Sequence, residues 1–536
     1  MAQAHPSGRP VRRRRIGGPA RVLLGMVLTA LVAGGAVPYV SGPGRAYLSY
    51  LVLAEGPDAA GAALAGAESR AAGGQVVQEY SQIGAALVYA AGSFAERVRA
   101  RPGIAAVGAT RTVPVVAPPR EVAGAGDFTA GAGEFAAGAR RDGDAAGDGR
   151  AGGARSGGAR SGDDRVGEGR SGRGRAGDRA DGGTTTVPDP GEGGAWNLAM
   201  LGGAAARAGD AAAAGPGAEA LRRVLVAVLD SGVDDTHPDL RAAVDPKASA
   251  SCADGRPDAR TGVWRPDPGV GESGHGTHVA GIVGAARDGH GVTGVAPGVR
   301  IAAVRLLGPL GQYYAENIVC GLLWAADHGA RAINNSYFAD PWKYNCPEDP
   351  DQAALIAAVG RATDYARRRG AVVVASAGND GQDLGAPRTD DRSPNDRISG
   401  PARTRYLGTE CVRLPGELPG VVTVTAVGRD GRPAGYSNHG RGRVSLAAPG
   451  GVPDGGPQGA IVSDWPEGQY AALAGTSMAA AHVTGAVAVA AALHPELGSD
   501  GLAALLAATA AAGCAPGPHA CGERQYFGAG LLTLPR

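Results

Sequence analysis

The apolar positions of this chain change pattern abruptly at three places. An uncharged stretch from Val22 to Gly44, most apolar between Val22 and Val40, follows an arginine-rich start at Arg12 to Arg15. From Tyr47 the period becomes that of short strands and helices. Tyr47–Leu53 reads as a strand, an alanine-rich helical stretch runs to Ala72, and Gln75–Tyr80 and Ala85–Ala90 read as two more strands. Phe94–Arg101 then reads as a helix and Ile104–Val107 as a strand. This βαββαβ order predicts a small α+β domain over residues 46–116.

Between residues 117 and 195 large apolar side chains nearly vanish, and Gly, Ala, Arg and Asp dominate. Such a segment has little to bury against the entropy of ordering its backbone, so it reads as a disordered linker. After Trp196 the pattern alternates again to residue 536. Val224–Leu229, Ile301–Leu306, Ala371–Ala375 and Val421–Val427 are short, continuous apolar runs, the mark of strands buried on both faces. Alanine-rich stretches near 279–286, 315–329, 353–369 and 478–493 supply crossover helices. The expected fold class is α/β: a mostly parallel sheet with helices on both faces, preceded by the small α+β domain.

Composition adds limits. The formal net charge is +1, which gives no reason to expect a nucleic-acid partner. A basic start, a short apolar segment and small residues near Ala36 describe a signal peptide over residues 1–40, and the alternative is an uncleaved membrane anchor. Export implies a secreted, extracellular protein, associated with a membrane only if that segment is retained. The six cysteines include no C-x-x-C pair. In an exported chain they read as disulfides, with Cys514–Cys521 and Cys346–Cys411 as candidate pairs and buried free thiols as the alternative.

Three motifs stand at element ends. Asp230-Ser-Gly232 directly follows the Val224–Leu229 strand, His275-Gly-Thr-His-Val-Ala-Gly281 opens a helix, and Gly475-Thr-Ser-Met-Ala-Ala480 opens another. A serine hydroxyl is a weak nucleophile until a base takes its proton. His275 suits that base, Asp230 suits the orienter of its ring, and Ser477 at a helix N-terminus meets backbone N–H groups that favour negative charge. His278 and His482 fall in the same helices and read as structural.

These blocks resemble the subtilases, the subtilisin-like serine proteases. The resemblance covers about Trp196 to Leu534 and extends to the segment near Tyr47–Val116, which is similar to the family's inhibitory propeptide. It implies a zymogen that hydrolyses protein or peptide substrates through an acyl-enzyme at Ser477, with its own propeptide as intramolecular inhibitor. It also implies a monomer with no cofactor needed for the chemistry. Asn379 matches the family's oxyanion-hole asparagine, though the run Asn379-Asp380-Gly381 also suits a plain turn.

The substrate-binding segments implied are Ser336, Tyr337 and Ser376, Ala377, Gly378, with Phe338 where the family has glycine and Ala481 where it has proline. Arg413 falls near the specificity pocket, to be either a partner for an acidic substrate residue or a solvated side chain. Asp239 and Asp288, with the loop Ala286–Val292, match a structural calcium site, while Arg287 and His290 are atypical there. Two other functions remain open at this point: a membrane-tethered processing protease of the mycosin type, and a catalytically silent binding protein of the same fold.

Overall fold

A computed structural model describes residues 47–115, 189–202, 216–271, 273–396, 404–513 and 522–535. The expected signal segment 1–40, nearly all of the linker and the pair Cys514–Cys521 lie outside these residues. The described residues belong to one compact unit spanning Ala46–Arg536.

The small domain forms as its pattern predicts. Strands β1 (Leu48–Ala54), β2 (Gln75–Tyr80), β3 (Ala85–Ala90) and β4 (Ile104–Ala109) make an antiparallel sheet in the order β2-β3-β1-β4. Helices α1 (Ala59–Ala71) and α2 (Phe94–Arg99) accompany it, and Asp58 caps α1 by accepting from the Gly61 N–H. Alternation along β1 explains its unbroken apolar run. Tyr50 and Val52 pack with Val88, Phe94 and Val98, whereas Leu51 and Leu53 join a second core containing Leu322, Leu355 and Val359 of the large domain.

The large domain is built on a seven-stranded parallel sheet. Its strands are β5 (Leu225–Asp230), β6 (Ala250–Ser251), β7 (Arg300–Arg305), β8 (Ala332–Asn335), β9 (Val372–Ser376), β12 (Val422–Val427) and β13 (Leu446–Pro449). The order is β13-β12-β9-β8-β5-β7-β6. Two short antiparallel pairs flank it: β10 (Arg388–Asp390) with β11 (Arg405–Leu407), and β14 (Ile461–Trp465) with β15 (Gln469–Leu473).

Helices α3 (His275–Gly284) and α6 (Thr476–Leu493) cover one face, and α4 (Ala315–Asp327) and α5 (Pro350–Arg368) cover the other. A further helix, α7 (Ser499–Gly513), lies against α6. In β5, Val226 and Val228 turn to the first core while Leu225, Ala227 and Leu229 turn to the second. Helix α6 is apolar around its whole circumference because it is buried throughout its length up to Ala491.

Disulfides join Cys252 to Cys320 and Cys346 to Cys411, the second as expected. The linker ends earlier than residue 195. Asp189 to Gly194 is tied to the large domain, with Gly191 N–H donating to Gly291 O (2.9 Å) and a short 3-10 turn over Glu192–Gly194. The polar composition of this stretch hid those backbone bonds.

Candidate active site

The candidate site lies where the parallel strands end, the edge at which open α/β sheets bind ligands. Asp230 is the last residue of β5, Ser336 follows β8, and Ser376 closes β9 just ahead of Gly378 and Asn379. Asp230 is fully buried. Its Oδ1 accepts from Ser231 N–H (2.7 Å), from His275 Nδ1–H (2.8 Å) and from the Tyr313 hydroxyl (3.3 Å). Because that oxygen only accepts, the Nδ1 carries the proton and Nε2 is left as the basic nitrogen of His275. Tyr313 carries no motif and was not legible in the sequence.

Helix α3 is set close against this aspartate. Ser231 Oγ accepts from Gly276 N–H (2.9 Å) and donates to Ser273 O (2.7 Å). A Cβ on Gly276 would stand 2.4 Å from Gly232 O and 2.9 Å from the Asp230 Cβ, so only glycine allows the approach.

Ser477 is the second residue of α6, and this helix packs against α3. Its hydroxyl donates to Ser336 O (3.2 Å), and Ser336 Oγ donates back to Ser477 O (3.2 Å). Asn379 is fixed by its oxygen. Its Oδ1 accepts from Thr476 N–H (2.9 Å) and from the Thr476 hydroxyl (2.7 Å), while Thr476 Oγ1 accepts from Gly378 N–H (3.1 Å). The amide orientation follows from these donors, and it leaves Nδ2 as the free, donating end. Thr476 was overlooked as a positioning group although it sits inside the serine motif. A histidine oriented through Nδ1, a hydroxyl at a helix start and a pinned amide donor are the parts that acyl transfer uses.

Residues 222–530 match the Peptidase_S8 family, described as the subtilase family. The chain belongs to the subtilase family of serine proteases. Among similar proteins, fervidolysin of Fervidobacterium pennivorans is 35% identical over 50% of this chain and 34% of its own length. Subtilisin BL of Lederbergia lenta is 30% identical over 58% of this chain and 88% of its own. The crystal structure of the epidermin leader peptide processing serine protease of Staphylococcus aureus shares the fold, with a TM-score of 0.60 at 18% identity over 91% of this chain and 97% of that one.

Within this subtilase the other expected residues divide. Ser336, Ser376 and Ala377 are buried, as is Ser477, whereas Asn379 is exposed. Tyr337 does not offer its side chain to a cleft. It is buried, its hydroxyl donates to Asn335 Oδ1 (2.6 Å), and its ring stacks on Tyr313 at 4.9 Å, because strand alternation turns it into the core. Arg413 is not solvated: it is only 6% exposed, with its guanidinium 5.1 Å from the centre of the Phe338 ring.

His278 and His482 are structural, as expected. His278 Nε2–H donates to Ile461 O and Ala471 O (both 3.1 Å), and burial pushes its pKa down to about 3. His482 Nδ1–H donates to Met478 O (2.7 Å), Nε2 meets Asn197 Nδ2 (2.8 Å), and burial lowers its pKa to about 4.

The expected calcium residues Asp239 and Asp288 bond to neighbouring donors. Asp239 accepts from Val292 N–H (3.0 Å) and from the Tyr470 hydroxyl (3.1 Å). Asp288 pairs with His290 (3.3 Å), and the amides of Asp288 and Gly289 point at Asp189 Oδ1 (3.0 and 2.6 Å). Asp239 also groups with the buried His237 and Asp464, their ligand atoms all within 4.8 Å of one another, a set of the kind that could hold a cation.

Proposed function

We propose that this subtilase is a secreted serine endopeptidase made as a zymogen. The observation that carries this is the buried Asp230 holding His275 through Nδ1 at 2.8 Å, on a helix packed against the one that presents Ser477. His275 Nε2 takes the Ser477 proton as the hydroxyl oxygen attacks the peptide carbonyl carbon. The oxyanion receives hydrogen bonds from Asn379 Nδ2 and the Ser477 N–H. The imidazolium, stabilised by Asp230, returns its proton to the leaving amine, and the C–N bond breaks to leave an acyl-enzyme. Water, deprotonated by His275 in turn, hydrolyses that ester.

The small domain supports the zymogen. Tyr80 donates to Gly255 O (2.7 Å), Arg111 pairs with the fully buried Glu316 (2.8 Å), and Arg99 pairs with Asp351 (2.8 Å). A Cβ on Gly108 would stand 2.3 Å from Asp351 O, so the sheet edge lies directly on the start of α5. Thr112 N–H donates to Asp396 Oδ2 (2.8 Å), and Val115 packs with the core that includes Tyr313. Near its end the small domain also lays the Arg111 guanidinium over the Tyr314 ring (4.1 Å), next in sequence to the residue that bonds Asp230, a path suited to carrying an inhibitory segment into the cleft. Two disulfides suit an oxidising, extracellular compartment.

Expression of the full chain beside its Ser477→Ala variant tests both points. The wild type is expected to lose the residues ahead of the large domain, and the variant to accumulate uncut. Equal processing of the two overturns self-maturation.

A further inference from the structure

Arg413 lies between two segments that lead to the Ser477 and Asn379 region. Phe338, beneath its guanidinium, lies two residues beyond Ser336, whose carbonyl receives the Ser477 hydroxyl. On its other side, Arg413 Nη1 and Cζ lie 2.9 and 3.2 Å from where a Cβ on Gly378 would stand, and Gly378 immediately precedes Asn379. Gly378 has a φ of +104°, and the absence of a side chain is what lets the guanidinium lie against this backbone.

Among the described residues the buried cation has no counter-ion paired with it. Four groups exert the main electrostatic influence on it: Tyr344, Asp380, Glu417 and Asp340. Each of the three carboxylates is engaged by another donor. Asp380 pairs with Lys343, Glu417 pairs with Arg388 (2.6 Å), and Asp340 accepts from Tyr313 N–H (2.5 Å) and Asn395 Nδ2 (2.6 Å). Glu417 touches Arg413 only through its backbone N–H (2.9 Å), and Arg413 Nε has no hydrogen-bond partner among the described residues. Burial accordingly lowers the guanidinium's pKa, the sign of a charge stripped of water. Leaving a buried charge unpaired is costly, and a carboxylate presenting two oxygens to the guanidinium fork is its strongest match.

We infer that Arg413 selects substrates bearing an acidic side chain, glutamate or aspartate, on the residue just before the bond cut at Ser477. The inference rests on Ser477 being the nucleophile. Phe338 narrows the same space, so the pocket accepts the acidic group on a slim stem rather than an aromatic ring.

The test uses the mature protein and quenched peptides that differ only in the residue before the scissile bond, with mass spectrometry locating each cut. The wild type is expected to show kcat/KM at least tenfold higher for Glu than for its uncharged isostere Gln. In Arg413→Gln that ratio falls to near one, and Arg413→Lys retains part of it. Equal cleavage of the Glu and Gln peptides by the wild type overturns the inference, whether or not the variants fold. Fluorophosphonate labelling in parallel separates the two levels. A labelled enzyme indifferent to charge overturns the role of Arg413 alone, whereas an unlabelled enzyme that cuts no peptide overturns the protease function and this inference with it.

Discussion

At the scale of single residues the site depends on groups that hold others still. Asn379 has its oxygen committed to Thr476, which fixes the orientation of its amide, as the proposed oxyanion role requires. Replacing it with alanine is expected to lower kcat by about 10²–10³, the loss known for the matching change in a subtilisin, with KM little altered. Thr476→Val keeps the shape and the N–H bond to the Asn379 oxygen but removes the hydroxyl bond, so the amide is held less firmly. Steady-state kinetics should show a smaller fall in kcat, again at nearly constant KM, and a rise in KM alone would contradict the positioning role. Asp230, His275 and Ser477 were legible as candidates because each sits at an element boundary in an extended motif. Tyr313 and the burial of Arg413 were not, since neither lies in a pattern and both depend on contacts across the fold.

Among the elements, helix α6 and its neighbours tie stability to pH. His482 and His278 have folded pKa values of about 4 and about 3, depressed below 6.5 by burial. The unfolded chain thus binds more protons below pH 6.5, and the stability these residues contribute is complete above that value and lost as pH falls toward 4 and 3. Each proton taken up steepens the loss by about 1.4 kcal/mol per pH unit. Denaturant titrations of the Ser477→Ala protein should show this decline, and His482→Gln should flatten it; an unchanged slope would contradict the assignment.

The disulfide between Cys346 and Cys411 acts at the same scale. It closes a loop of 65 residues and braces the backbone bridge from Asn345 to Val412, next to Arg413. Its removal by paired serine substitution is expected to cost about 2–5 kcal/mol in unfolding free energy. Most strands and the four helices on the sheet faces were legible from apolar runs. Strand β8 was not, because Asn334 and Asn335 break its run. They are tolerated there because Asn334 bonds Ser336 Oγ (2.9 Å) and Asn335 bonds Val374 O (3.1 Å).

Over the whole molecule, one core is shared by the two domains. The small domain gives one face of its sheet to the core that α4 and α5 also fill, so docking is built on buried leucines as well as on ion pairs. Glu316 is fully buried with Arg111 as its partner, and breaking such a pair costs about 3–5 kcal/mol. In the uncut Ser477→Ala protein, Arg111→Ala should therefore lower the thermal unfolding midpoint, and an unchanged midpoint would show that the interface does not depend on this charge pair.

The most direct test is covalent. The mature wild type, treated with a fluorophosphonate and digested, should carry one phosphonyl group on Ser477, and Ser477→Ala and His275→Ala should carry none there. An unlabelled Ser477 in a folded, processed enzyme, or labelling that persists without His275, would contradict a serine nucleophile activated by that imidazole.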